Sequence, residues 1–278
     1  LLGRSRRACG RRAAIGSASS RGPLGNGGQR PLPEPGMSSE PPPRLEDLNF
    51  VGARLHSPDF EEARITDGHF AGAEISGFIE GLRINGVDVE PLIRAELERR
   101  SPERAQLRAT DPPGLAGGWA IVKGRWEATM ARAQALSPEL LHERVDFEWS
   151  FVETLQHLIF ATDCWLRRMV LQMPHPYHPW GLAGAWLSDP ASLGVDREAR
   201  PSLEQVEQVR RQRQAEVAQT FANLTADQLD RICTPPDTPG HPNRPEPVRH
   251  CLQVVLNEEW LHNEYAERDL GVLESRSG

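Results

Sequence analysis

The chain has little of what marks several broad protein classes. Only four of its 278 residues are cysteine, at Cys9, Cys164, Cys233 and Cys251. Their spacing fits neither a zinc module nor a disulfide framework, which suits a reducing compartment and so the cytoplasm. No long apolar run occurs, which argues against a membrane-spanning helix. Positive charge is not in excess either. Lys and Arg number 32 against 39 Asp and Glu, a formal net charge of -7, so nothing electrostatic invites nucleic acid. The length suffices for one large domain or two smaller ones.

Residues 1–44 are short of acid and of large apolar side chains. "LLGRSRRACGRRAAIGSASSRGPLGNGGQRPLPEPG" is rich in Arg, Gly, Ser and Pro. Such a composition cannot bury enough apolar surface to order itself, so a disordered tail is expected. An Arg- and Ser-rich, acid-poor stretch also fits a transit peptide, but the amphipathic period is missing, and there is no apolar h-region of a secretory signal. Met37 opens "MSSEPPPRLEDL" and reads as a translation start, which makes residues 1–36 an over-extended reading frame.

Residues 45–89 form a leader of different character. In "FVGARLHSPDFEEARITDGHFAGAEI" a large apolar residue stands at every fifth position: Phe50, Leu55, Phe60, Ile65, Phe70 and Ile75. Neither the helical period of 3.6 nor the strand period of 2 fits. The spacing resembles pentapeptide-repeat sequence, which implies a four-sided β-coil of little more than one turn. A solenoid needs stacked units to bury its core. The coil is therefore expected to lean on the following domain, with "GFIEGLRINGVDVEPLI" as an extended connector. An irregular Gly/Ala-rich loop is the alternative.

From residue 90 to 273 the pattern is helical. "VEPLIRAELERRSPERAQLRA" reads as a short charged helix stopped near Ser101-Pro102, and "TDPPGLAGG" as a breaker. "WAIVKGRWEATMARAQAL" then places Trp119, Val122, Trp126, Met130 and Ala133 at helical spacing. Ser137 is the expected cap of the next segment, with Pro138 at the first helical position. "EWSFVETLQHLIFATDCWLRRMVL" is apolar almost all round and so buried. After a Pro-rich excursion, "SLEQVEQVRRQRQAEVAQTFANL" carries Val206, Val209, Val217, Phe221 and Leu224 on one side. Pro247 opens a last helix expected to end near Leu270. Four long helices predict a mainly α protein built as a four-helix bundle.

Two helices turn polar groups toward the core. His157 lies amid Leu155, Leu158 and Ile159, in line with Thr154, Ala161 and Cys164. Glu258 and His262 fall on the stripe of Val248, Cys251 and Val255. At i and i+4 they stack about 5–6 Å apart, which suits two ligands on one metal. Bundle metal sites are assembled from facing helices in this way. Two imidazoles and one carboxylate leave coordination positions open, the catalytic pattern. The alternative is a metal-free polar network in which Glu258 pairs with His157, Arg210 or Arg213. Arg210 and Arg213 are candidates for binding a substrate carboxylate, or else solvent-exposed snorkelling side chains. His175 and His178 in "PHPYHPW" read either as metal ligands on a loop or, with their prolines, as part of a rigid lid. Trp149, Trp165 and Trp260 read as core and pocket wall, and the buried cysteines as small apolar residues.

"EWSFVETLQHLIFATDCWL" followed by "VLNEEWLHNEYAERDL" resembles the DinB-like four-helix-bundle metalloproteins, which include mycothiol- and bacillithiol-dependent transferases and maleylpyruvate isomerase. The resemblance implies a divalent ion, zinc or nickel, held by a His of the second helix and two residues of the fourth. His157 matches the first position, Glu258 the intermediate one (His in many members) and His262 the last. It further implies a low-molecular-weight thiol such as mycothiol, a small electrophilic substrate and a homodimer. The likeness covers about residues 50–270 and is strongest to an actinobacterial branch with Glu-Glu-Trp-x-His and a similar leader. There a second His commonly follows the last ligand, whereas this chain has Asn263. A neighbouring residue points about 100° away on a helix, so the metal set stays intact while any proton-carrier role is in doubt. A non-catalytic metal- or ligand-binding stress module remains the other reading.

Overall fold

The computed structural model describes residues 45–277 other than 56, 57, 59, 78, 185 and 186. The expectation for the tail at 1–44 falls outside them. The chain divides into one unit ending at Ala53 and a second from Arg54 onward.

The leader corrects one expectation. No strand occurs between residues 45 and 82 among those described, so no β-coil forms. The periodicity survives as β-turns ten residues apart, closed by the amides of Ala53, Ala63 and Ala73 on the carbonyls of Phe50, Phe60 and Phe70 at 2.9–3.0 Å. The six large apolar side chains remain 53–66% exposed. The physical reason is the one that limits all solenoids: a single turn has no neighbouring turn on which to bury its face. The connector is not simply extended either. Strands β1 (Arg83–Ile84) and β2 (Val87–Asp88) pair antiparallel. Asn85 and Gly86 join them at φ +51° and +81°, the type I′ geometry that Asn-Gly favours.

Helix α1 (Glu90–Arg100) buries no side chain, and a 3-10 turn follows at Pro102–Arg108. Helix α2 (Pro112–Ala133) begins seven residues before Trp119, inside the stretch read as a breaker. Two prolines at its start need no intrahelical donor, and the Asp111 carboxylate accepts from the Gly114 amide at 2.8 Å. Gly118 is there for close approach: a Cβ would lie 3.1 Å from the Gln106 carbonyl oxygen. Ser137-Pro138 precedes only a 3-10 turn at Leu140–His142. The cap of α3 (Phe151–Thr162) is instead Ser150, in a reciprocal capping box with Glu153.

Helix α3 continues as a π-helical segment, Asp163–Val170. The Leu171 amide reaches back to the Leu166 carbonyl at 2.9 Å. Helix α4 (Leu203–Asn223) starts with a Ser202–Gln205 capping box. A short α5 (Ala226–Leu229) follows. Strands β3 (Ile232–Cys233) and β4 (Glu246–Pro247) then pair antiparallel. Helix α6 (Val248–Ser277) runs past the expected end at Leu270.

Four helices pack around one core. α6 lies against α2 and α3, and α4 lies against the other sides of the same two. Trp126, Trp260, Leu155, Ile159, Leu252 and Leu256 are buried between them. Each such aliphatic side chain contributes about 1.5–3 kcal/mol on burial. Among the described residues no helix is long and apolar enough to cross a membrane.

Candidate metal centre

The Ser150 cap fixes where α3 begins, and His157 follows two turns later. On the facing helix α6, Glu258 and His262 are one turn apart. The structure brings all three together, with ligand atoms within 4.8 Å of one another. Their side chains are 13%, 28% and 13% exposed, so the cluster sits at the edge of the core with one side open.

The hydrogen bonds around the two imidazoles decide what the cluster can hold. His157 Nδ1 lies 2.9 Å from the Leu182 carbonyl oxygen, and His262 Nδ1 2.9 Å from the Glu258 carbonyl oxygen. A carbonyl only accepts, so both rings carry their proton on Nδ1 and leave Nε2 to bind. This outer-shell arrangement is typical of metal-ligating histidine. His157 Nε2 then stands 3.3 Å from Glu258 Oε2. A lone pair against a carboxylate is stable only if a cation lies between them, either a proton on Nε2 or a shared metal ion. The donor set therefore fits a divalent ion: two neutral imidazoles and one anionic carboxylate, already converged.

The electrostatics agree. Burial would raise the Glu258 carboxyl, but the hydrogen bond with His157 and the nearby His262, His157 and His241 hold it below its usual value. Burial, then the neighbouring His157, hold His262 down at about 4. At neutral pH the cluster is thus a carboxylate facing a neutral His262 imidazole.

Sequence reasoning missed how the Pro-rich excursion serves the site. The Gln156 side chain donates to the Trp180 carbonyl at 3.1 Å, and the Leu182 amide donates to the Gln156 carbonyl at 3.1 Å. Together they place the Leu182 carbonyl against His157. No periodic signal predicts this, because the carbonyl is backbone and the segment is irregular. Trp149 forms a wall, its ring centroid 4.5 Å from His157 and 6.1 Å from His262. Tyr265 meets His262 edge-on at 5.7 Å. Trp260 is fully buried instead, under Arg125 at 4.1 Å.

The remaining candidates lie elsewhere. Arg210 donates to both oxygens of Glu259 at 2.6 and 2.8 Å. Arg213 donates to Asp163 at 2.6 Å, and the same carboxylate accepts from the His178 amide at 2.8 Å. Both guanidiniums are buried, not snorkelling. His175 is exposed, and His178 Nδ1 accepts from the Trp180 amide at 3.1 Å. Neither His175 nor His178 joins the cluster.

Asn263 faces α2, away from the metal ligands. It accepts from Arg125 at 2.9 Å and donates to Thr129 at 2.8 Å, and Thr129 in turn donates to Glu267 at 2.5 Å. Asn263→Ala should therefore cost about 1–3 kcal/mol by leaving buried polar partners unpaired, with metal content unchanged. Urea unfolding and elemental analysis of one preparation check both halves.

Set beside known proteins, residues 121–266 match the DinB superfamily domain, more than half of the 278-residue chain. No curated protein and no solved structure matches the chain significantly. The match spans the stretch that supplies His157, Glu258 and His262, and by it the chain belongs to the DinB superfamily.

Proposed function

We propose that this chain is a divalent-metal-dependent thiol S-transferase that joins a low-molecular-weight thiol, mycothiol or a similar one, to small electrophiles. The observation that carries this reading is the pair of imidazoles pinned through Nδ1 to backbone carbonyls, with Nε2 of His157 facing Glu258. The superfamily includes metal-dependent enzymes, and the likeness to its actinobacterial branch supports mycothiol as the thiol. Zinc or nickel held by His157, Glu258 and His262 would lower the pKa of a thiol at an open position so that it ionises at neutral pH.

The chain's own residues do the rest. The Leu182 and Glu258 carbonyls hold the rings in one orientation, so little reorganisation accompanies binding. Trp149 lies over both imidazoles, keeps water from that side and offers a flat apolar wall to a small carbon skeleton. Tyr265 keeps its phenolic proton, because burial and then Glu148 and Glu264 raise its pKa. The thiol sulfur bonds to the electrophilic carbon, the leaving group departs with its electron pair, and the thiol proton passes to solvent. Such a thiol is held reduced in the cytoplasm, where we place the protein. A homodimer without nucleic-acid or membrane partners belongs to the same proposal.

The test incubates metal-loaded, untagged protein with mycothiol and monochlorobimane and follows the fluorescent S-conjugate. Conjugation above the uncatalysed rate, lost in a folded His157→Ala variant, supports the reading. Metal-bound wild type that never accelerates conjugation, with mycothiol or bacillithiol, makes the chain a non-catalytic metal-binding bundle.

A further inference from the structure

Two cysteines outside the metal cluster come together at the start of α6. Cys233 ends β3, paired across the ladder with Glu246 of β4. The amide of Val248 donates to the Arg231 carbonyl at 2.9 Å. These contacts lay residues 231–233 beside the first turn of α6, where Cys251 stands. Both side chains are buried in the main core, and each is the first influence on the other's titration.

Between them run a Pro-rich loop, strand β4 and the first turn of α6, residues 234–250. The loop is packed on the π segment that extends α3. Arg168 donates to the carbonyls of Pro236, Thr238 and Pro239 at 3.2, 2.7 and 3.3 Å. The Tyr177 hydroxyl donates to the His241 carbonyl at 3.2 Å. The cysteine pair thus sits where the two ends of this loop meet.

We propose that Cys233 and Cys251 form a reversible intrachain disulfide, with hydrogen peroxide as the oxidant, that staples the 234–247 loop to the helix carrying Glu258 and His262. The two thiols are unequal. Cys251 beside it, and then Arg231, hold the Cys233 thiol below its ordinary value despite burial. Cys233, then burial, raises the Cys251 thiol. Cys233 is the attacking group, because its lowered pKa gives it the larger thiolate fraction. Its thiolate bonds to one peroxide oxygen, the O–O bond breaks, and the departing hydroxide takes up a proton as water, leaving a sulfenic acid. The Cys251 sulfur then bonds to the Cys233 sulfur and displaces hydroxide, which leaves with the Cys251 proton as a second water. Two thiols and one peroxide become one disulfide and two waters.

A small oxidant reaches the pair because β3 and β4 hold only two residues each, and so short a ladder opens locally at low cost. Cys164 is set apart: it is buried with Phe160, Ala183 and Val195, and burial pushes its thiol well up.

The experiment treats reduced full-length protein with stoichiometric peroxide, alkylates it after denaturation and maps the peptides by mass spectrometry. The expected product is a cross-linked Cys233–Cys251 peptide pair, lighter by two hydrogens and reopened by dithiothreitol. The melting temperature of the oxidised protein should rise, because the bridge restrains the unfolded chain. In Cys251→Ser, Cys233 should stop at the sulfenic acid and be trapped by dimedone. Unchanged alkylation of all thiols, bridges to Cys9 or Cys164, or irreversible oxidation of Cys233 without a bridge would overturn the proposal. The wild-type peptide map alone decides, so a misfolded variant does not obscure the result.

Discussion

His157→Ala should strip the protein of its divalent ion. Elemental analysis of untagged wild type, reconstituted at neutral pH, is expected to show about one zinc or nickel per chain. The variant should show almost none. Outer-shell partners alone are worth about 10–100-fold in affinity, so losing a ligand should exceed about 100-fold. The variant should still fold, because His157 lies at the edge of the core. Acid should act the same way. Imidazole must be neutral to ligate, so metal should leave as acid protonates the ligand rings. His262 is already neutral at pH 7, because burial holds it at about 4, so it needs to shed no proton to bind. Equal metal content in variant and wild type would remove His157 from the site. No metal in either would make the three residues an internal polar network.

Glu259→Ala should cost about 3–5 kcal/mol, the usual result of stranding one charge of a buried pair. Arg210 is only 3% exposed, and Glu259 receives both of its terminal nitrogens. The guanidinium also lies 5.4 Å over the Trp126 ring, and without Glu259 it loses both of these hydrogen bonds. The double variant Arg210→Met, Glu259→Leu should recover most of the loss, because replacing both charges removes the desolvation cost along with the pair. Guanidinium chloride unfolding of the three proteins decides. A loss below about 1 kcal/mol in the single variant would mean that water reaches Arg210 after all.

Local rules account for much of what is legible in the residues. The i and i+4 relation of Glu258 and His262 follows from helix geometry once the apolar stripe is recognised. The helical stretches follow from their period. The errors also have local causes. Pro and Gly in "DPPGLAGG" read as a breaker, although Pro suits a helix start and Gly118 answers to a close neighbour. Ser137-Pro138 looks like a helix start as much as Ser150 does, and only Ser150 has Glu153 to complete the box. Asn85-Gly86 carries a hairpin signal that is easily passed over, with Ile84 and Val87 on either side. The five-residue repeat set turns at regular spacing, but a coil needs a second turn to pack on.

By itself the sequence determined the mainly helical class and the three polar residues that helices aim inward. Each of these depends on neighbours within a few positions, and periodicity records such neighbours. Only the tertiary structure decided which charges meet. Glu259 and Asp163 take Arg210 and Arg213 across intervals of 49 and 50 residues, which leaves Glu258 to the two histidines. Tertiary structure also brought the Leu182 carbonyl to His157 and turned Asn263 toward α2. Nothing in spacing encodes these choices, because a buried ion pair or a backbone acceptor is selected by the packing of whole helices and loops.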